Sequence, residues 1–163
     1  MAERHESFMQ IALEEAALAR AAGNMAVGAV VVRDGRCVSR GHNQVESTFD
    51  VSAHAETVAV RRLTIAERRL NTGSQADSGP FAGSTLYTTV EPCPMCAWIA
   101  CISGMSSIVL GARHAELGTS FGQYTIEKLV AMTERKITIV TGVLPAECAA
   151  MCRTRRNFRE GPR

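Results

Sequence analysis

Two periodicities divide the 163-residue chain. Near the N-terminus Ile11, Leu13, Leu18 and the neighbouring alanines recur at helical spacing, which predicts a helix over 5–22 stopped by Gly23-Asn24. VGAVVV (27–32) then runs without a polar residue, Asp34-Gly35 supplies a turn, and a second run ends at Gly41. That pattern predicts a hairpin whose first strand is central and covered on both faces. Ser52 precedes AHAETVAVRRLTIAERR, so a helix is expected to begin near 52–54. After the turn-rich NTGSQADSGPFAGS, STLYTTV reads as a strand, Pro94 opens a helix through MCAWIACIS, and SSIVLGA is a fourth strand. QYTIEKLVAM predicts a further helix, KITIVTG a fifth strand, and PAECAAMCRTRRNF a closing helix after Pro145.

From Val27 onward the order is β-β-α-β-α-β-α-β-α, which implies an α/β layered sheet with helices on both faces. The length suits one domain, 1–163, with an arginine-rich, fraying tail over 153–163. In such sheets sites lie beyond strand ends, where helices start. Two chemically suggestive segments, AHAE (53–56) and EPCPMC (91–96), both fall at a helix start.

Composition narrows the class. Hydrophobic residues make up 46% and charged residues 21%, ordinary for a soluble globular protein, and no apolar run approaches the ~20 residues of a membrane span. Acidic residues interrupt the N-terminal apolar positions, so no export signal is read there and a cytoplasmic, reducing setting is expected. In that setting the six cysteines (37, 93, 96, 101, 148 and 152) are thiols or metal ligands rather than a disulfide framework. Cys37 and Cys101 need no role beyond small apolar packing. A net charge of +2 does not mark a nucleic-acid binder. Yet 16 of the 18 basic residues are arginines and five of those fall in RTRRNFREGPR, read as a solvated helix end or as groups that meet phosphate.

Cys93-x-x-Cys96 alone fits a redox pair, half of a structural zinc site, or part of a catalytic one. A thioredoxin-like pair belongs after the first strand of a βαβ unit, whereas this one follows the third strand. A closed four-thiolate site would recruit Cys148 and Cys152 and leave His54-Ala55-Glu56 without a role. The third reading uses every group. Cys93, Cys96 and His54 would hold Zn2+ with its fourth position open to water, and Glu56 would flank that water as a proton carrier. Zinc lowers the pKa of bound water toward ~7. H-x-E followed by P-C-x-x-C is the signature of zinc nucleobase deaminases, which replace a ring amine by oxygen and release ammonia.

These segments, with VGAVVV, GHNQ, DVSAHAE, TLYTTVEPCPMC, VLGAR and GVLPAEC, resemble the cytidine/deoxycytidylate deaminase superfamily over most of the chain. The nearest branch holds tRNA adenosine deaminases, guanine deaminases and yeast-type cytosine deaminases. The resemblance implies a three-layer α/β/α fold on a five-stranded mixed sheet, one Zn2+ on His54, Cys93 and Cys96, and Glu56 as the catalytic proton carrier. It also implies that Asn43 and the Ala55 backbone N–H contact the base, and that two chains pair as a homodimer through the zinc-bearing helices.

The substrate is less sharply drawn. Gly142-Val143-Leu144, Glu147-Cys148 and the closing arginines Arg153, Arg155 and Arg156 resemble the tRNA enzymes. Against that, AMTERKITIV lacks their Asn-His pair, Trp98 stands where they carry a small glycine, the 71–83 loop is long, and FGQYTIEKL differs from their glycine-rich stretch. Trp98 either packs in the core or narrows the pocket, and Phe121 and Tyr124 either cap a helix or close over a base. Asp50 is expected to order its loop, and His114 to be a surface residue. The sequence therefore favours a free nucleobase or small nucleoside as substrate, with tRNA adenosine the alternative. A non-catalytic zinc module that binds a partner is the rival of another class.

Overall fold

The computed structural model describes residues 2–70 and 80–153. Helix α1 (Ala2–Ala21) leads into β1 (Gly28–Arg33) and β2 (Arg36–His42), followed by a one-turn α2 (Val45–Thr48) and α3 (Ala55–Leu70). The chain then alternates β3 (Thr85–Val90), α4 (Pro94–Ile102), β4 (Ser107–Ala112), α5 (Ile126–Met132), β5 (Thr138–Val140) and α6 (Pro145–Arg153). A single 3-10 turn, Ala115–Leu117, interrupts the β4–α5 connection. The expected order of strands and long helices holds; the two short turns carry too few apolar positions to show a period.

The five strands form one mixed sheet in the order β2-β1-β3-β4-β5. β1 is antiparallel to both β2 and β3, while β3, β4 and β5 run parallel. Asp34 and Gly35, with φ of 50° and 71°, make the hairpin turn that the sequence called for. β1 is buried along almost its whole length, as its unbroken apolar run requires of a strand with neighbours on both edges.

Two cores flank the sheet. One joins α3, α4 and α5 to β1, β3 and β4 through Ala59, Leu63, Leu86, Ala97, Ile108 and Ile126. The other packs α1 and α6 on the opposite face through Met9, Ala12, Leu13, Val30, Val109 and Cys148. The expected apolar stripe of α1 holds at Leu13, the alanines and the partly buried Ile11 but not at Leu18, which is exposed; the buried row is Met9, Ala12, Leu13, Ala16 and Ala19. Alanines fill it because the helix backbone lies directly against the sheet, a contact that larger side chains would hold open. None of the described helices is long and apolar enough to cross a membrane.

The strand directions gather one set of loops. β3 and β4 end together, with Val90 opposite Ala112. Because β1 runs the other way, its start and the end of β2, paired as Gly28 with His42, lie at that same end of the sheet. The segments after β2, β3 and β4 and the segment before β1 therefore converge on one place.

Candidate active site and metal centre

Gly41 sets the first wall. A Cβ there would stand 2.4 Å from the Ala55 carbonyl oxygen and 2.5 Å from the Ala59 nitrogen, so only glycine lets α3 start this close to β2. Asp50 braces the approach: its Oδ1 accepts from the Ser52 N–H at 2.8 Å and the Ser52 hydroxyl at 2.6 Å, which also hold the Asp50 carboxyl below the usual carboxylate range. Asp50 thus orders the loop, as expected. The Thr57 hydroxyl contacts the His54 carbonyl at 2.8 Å, and the Val58 N–H returns to that carbonyl at 2.9 Å. His54 is thereby fixed immediately before the first helical turn.

The second wall is the turn after β3. Pro94 occupies the first turn of α4, Cys93 sits at its N-cap in extended conformation, and Cys96 lies within the helix. The Tyr124 hydroxyl donates to the Pro92 carbonyl at 2.7 Å and pins this turn. His54 Nδ1 stands 3.6 Å from Cys93 Sγ and 3.6 Å from Cys96 Sγ. Tetrahedral zinc with bonds of about 2.3 Å to sulfur and about 2.05 Å to nitrogen places those atoms about 3.6 Å apart, so the three residues fit the ion. They are the one group of three or more ligand-type side chains brought together among the described residues.

Charge at the trio follows from its hydrogen bonds. Cys93 is drawn down to about 4, first by the Cys96 thiol and then, against burial, by His54. The thiol of Cys96, donor of that bond, is pushed up. His54 is raised, chiefly through its bond to Cys93. Glu56 is buried, and desolvation raises its carboxyl above the ordinary value. Its Oε1 lies 3.4 Å from the Thr88 hydroxyl, which makes a shorter bond to the Val90 carbonyl at 3.0 Å.

These groups open onto a cavity of about 500 Å3 including its mouth, shared by His54, Glu56, Cys93 and Asn43. Asn43 is buried and its Oδ1 takes the Val45 N–H at 3.1 Å, so its donor end is what a ligand would meet. Ala55 is fully buried, and what it offers is a first-turn backbone N–H. Phe121, half exposed, lines the mouth. Tyr124 does not line the cavity; its ring meets Phe121 edge-on at 6.3 Å while its hydroxyl is spent on Pro92.

Two expectations, those for Trp98 and His114, need correction. Trp98 neither packs in the core nor narrows the pocket: it is 48% exposed on α4, whose buried face is Cys96, Ala97, Ala100 and Cys101. Arg153 is engaged within the chain, donating to the Glu116 carbonyl, while Arg155 and Arg156 lie outside the described residues. His114 is not a surface residue but part of the cavity wall. Cys148 and Cys152 take no part in a four-thiolate site. Cys148 is buried where a Cβ on Gly111 would strike its sulfur at 2.4 Å, and Cys152 lines the cavity.

The sequence reading missed Glu91. Buried in the EPCP turn, it accepts from Arg113 at 3.1 Å, from the His114 N–H at 3.2 Å and from the Ile126 N–H at 3.4 Å. Arg113 also reaches Glu127 at 2.5 Å. An acidic residue directly before Pro-Cys in an otherwise apolar strand end was the available signal.

A family model describing the cytidine and deoxycytidylate deaminase zinc-binding region matches residues 2–112. A tRNA-specific adenosine deaminase of Aquifex aeolicus is 38% identical over 113 residues, 69% of this chain and 69% of that one. The chain is 37% identical to a chloroplastic tRNA(adenine(34)) deaminase of Arabidopsis thaliana over 159 residues, 88% of this chain but 12% of the plant protein. Among solved structures, one from a study of A-to-I editing by tRNA:A34 deaminases superposes with TM-score 0.71 at 27% identity, covering 89% of this chain and 98% of that one. A guanine deaminase from Nitrosomonas europaea gives TM-score 0.74 at 30% identity over 91% of this chain and 82% of that one. The chain belongs to the cytidine and deoxycytidylate deaminase zinc-binding family.

Proposed function

We propose that this member of the family is a hydrolytic deaminase of adenosine in tRNA, the alternative that the sequence alone ranked second. The support for the chemistry is the trio geometry with a buried carboxyl in the same cavity. The support for the substrate is the run of tRNA-specific adenosine deaminases at 30–38% identity, one of them from Streptococcus pyogenes spanning 98% of this chain and 92% of its own. A free-base substrate stays as the second reading because the guanine deaminase superposes as well as the tRNA enzyme does.

Held by His54, Cys93 and Cys96, zinc supplies a water acidic enough to lose its proton near neutrality. The chain's own residues do the rest. Glu56 accepts the proton of the attacking water and passes it to the ring nitrogen beside the carbon under attack. Glu56 then takes the remaining proton from the hydroxyl added to the ring carbon and hands it to the amine, which leaves as ammonia as the carbon–oxygen double bond forms. Burial of Glu56 holds its affinity for the proton up, which makes it a better acceptor of the proton of the attacking water than a solvated carboxylate. Asn43 and the Ala55 N–H orient the base edge, and Val27, Leu117 and Phe121 supply apolar faces that exclude water.

The face of α4 that carries Trp98 and Ile102, 48% and 53% exposed, is proposed to pair with a second copy in the cytoplasm. The test of function is ammonia release and inosine formation over an anticodon stem-loop, free nucleosides and free bases, with Glu56→Ala as blank. Inosine in the stem-loop supports the tRNA reading. Ammonia from guanine or another free base, with none from RNA, replaces it with the second reading.

A further inference from the structure

A second cavity, of about 590 Å3 including its mouth, opens at the far end of the sheet from His54 and the two cysteines. The catalytic cavity meets Val27, just before β1, and Val90, where β3 ends; this one meets Val32 and Thr85, at the other ends of the same strands. At about 3.3 Å per residue, the six residues of each strand set the two cavities roughly 20 Å apart. The volume is that of a small-molecule site. Phe8, Val32 and the Tyr87 ring give it an apolar floor, with the Phe8 and Tyr87 rings tilted to each other at 5.3 Å.

Two of its polar groups are donors without acceptors. Arg4, in the first turn of α1, lays its guanidinium over the hairpin turn, where a Cβ on Gly35 would strike Nη2. Among the described residues that guanidinium has no ion pair and no hydrogen bond. His5 Nδ1 lies 2.9 Å from the Tyr87 hydroxyl. Burial raises the Tyr87 phenol above its usual value, so the hydroxyl keeps its proton, and among the described residues that proton has no other acceptor. In a neutral imidazole Nδ1 therefore accepts and Nε2 carries the N–H; in a protonated one Nε2 carries it as well.

We propose that this cavity is a second ligand site, for a small organic carboxylate with an aromatic or branched apolar body. The carboxylate lies on Arg4 and the His5 Nε2–H, and the body on Phe8, Val32 and Tyr87. A guanidinium fork matches the plane of a carboxylate with two parallel hydrogen bonds. Asp34, in the same lining and without an ion pair among the described residues, opposes a second negative charge. It selects a monoanion over a phosphate ester or a nucleic-acid strand. The site stands apart from the deaminase reading, since none of its lining residues lines the catalytic cavity.

The experiment is an amide chemical-shift titration of zinc-loaded wild type, Arg4→Gln and Asp34→Asn with phenylacetate, phenylacetamide and phenyl phosphate. Arg4 is exposed, so its substitution leaves the fold intact, and asparagine tolerates the positive φ of Asp34. Phenylacetate is expected to shift the amides of Arg4, His5, Phe8, Thr85 and Tyr87 but not those of His54 and Glu56, with a Kd of about 1 mM. Phenylacetamide has the same shape without the charge. It should bind wild type about tenfold more weakly, and Arg4→Gln should erase that difference with zinc content unchanged. Phenyl phosphate should bind wild type more weakly than phenylacetate, and Asp34→Asn should restore about threefold. No shifts at this cavity, equal binding of acid and amide by wild type, or a preference that survives Arg4→Gln overturns the site. Phenyl phosphate bound more tightly than phenylacetate by wild type overturns the choice of a monoanion.

Discussion

The two sides of the cavity are built on different principles. The metal side, His54 to Glu56 and Cys93 to Cys96, rests on the first turns of two helices, α3 and α4, each packed on the sheet. The opposite side, His114 to Phe121, is irregular apart from one 3-10 turn. It is held by side chains: Glu91 to Arg113 and the His114 N–H, Arg113 to Glu127, Thr119 to His114, and Arg153 to the Glu116 carbonyl. Helix starts fix ligand atoms in positions that the backbone itself enforces. A network of charged and polar bonds fixes a wall whose shape can change with a few substitutions. We propose that the first side carries the chemistry and that the second contributes to substrate choice.

Removing a group from the metal side should have the largest effect. His54→Ala is expected to lose bound zinc and turnover together, with turnover down by about 10³-fold or more, read from metal content and ammonia release. Retention of one zinc per chain would break the division at its root. Gly41→Ala probes the same side through packing alone. Its methyl must displace the start of α3, so zinc affinity and melting temperature should both fall, at an overpacking cost of about 1–3 kcal/mol.

Glu91→Gln should separate the two sides. It leaves Arg113 without its buried carboxylate and weakens the hold on the His114 and Ile126 amides, at about 1–3 kcal/mol of stability. Zinc content should be unchanged while KM rises more than kcat falls. A parallel loss of zinc would show that the walls are one unit.

The smallest effect concerns pH. The raised folded-state affinity of Glu56 for its proton means that the folded chain binds more protons than the unfolded one between the two values. Its contribution to stability is therefore present below the unfolded carboxyl value of 4.5 and is lost as pH rises through the folded one. In metal-free protein, Glu56→Gln should accordingly melt higher than wild type at neutral pH, with the gap closing below pH 4.5. An equal gap at both pH values would contradict the burial account.

The same division explains what was legible in the sequence. The hairpin, the parallel strands and the two helix starts follow from local periodicity, Asp34-Gly35, Ser52 and Pro94, and His54, Glu56, Cys93 and Cys96 stand in a pattern whose spacing states its use. Trp98 was misplaced because periodicity over the nine residues of α4 cannot tell its two faces apart when both are apolar. Glu91 was missed and His114 was placed at the surface because their positions depend on a bond between segments 23 residues apart that no local pattern encodes. On α1 Leu13 and the alanines lie on the buried face as their spacing predicts, whereas Leu18 falls outside it because a close approach to the sheet selects for small residues.

X-ray absorption at the zinc edge of metal-loaded protein tests the central claim most directly. Two sulfur ligands at about 2.3 Å with two light N or O ligands at about 2.0 Å are expected, from Cys93, Cys96, His54 and a water. Four sulfur ligands at about 2.3 Å would mean a closed structural centre and would contradict the assignment.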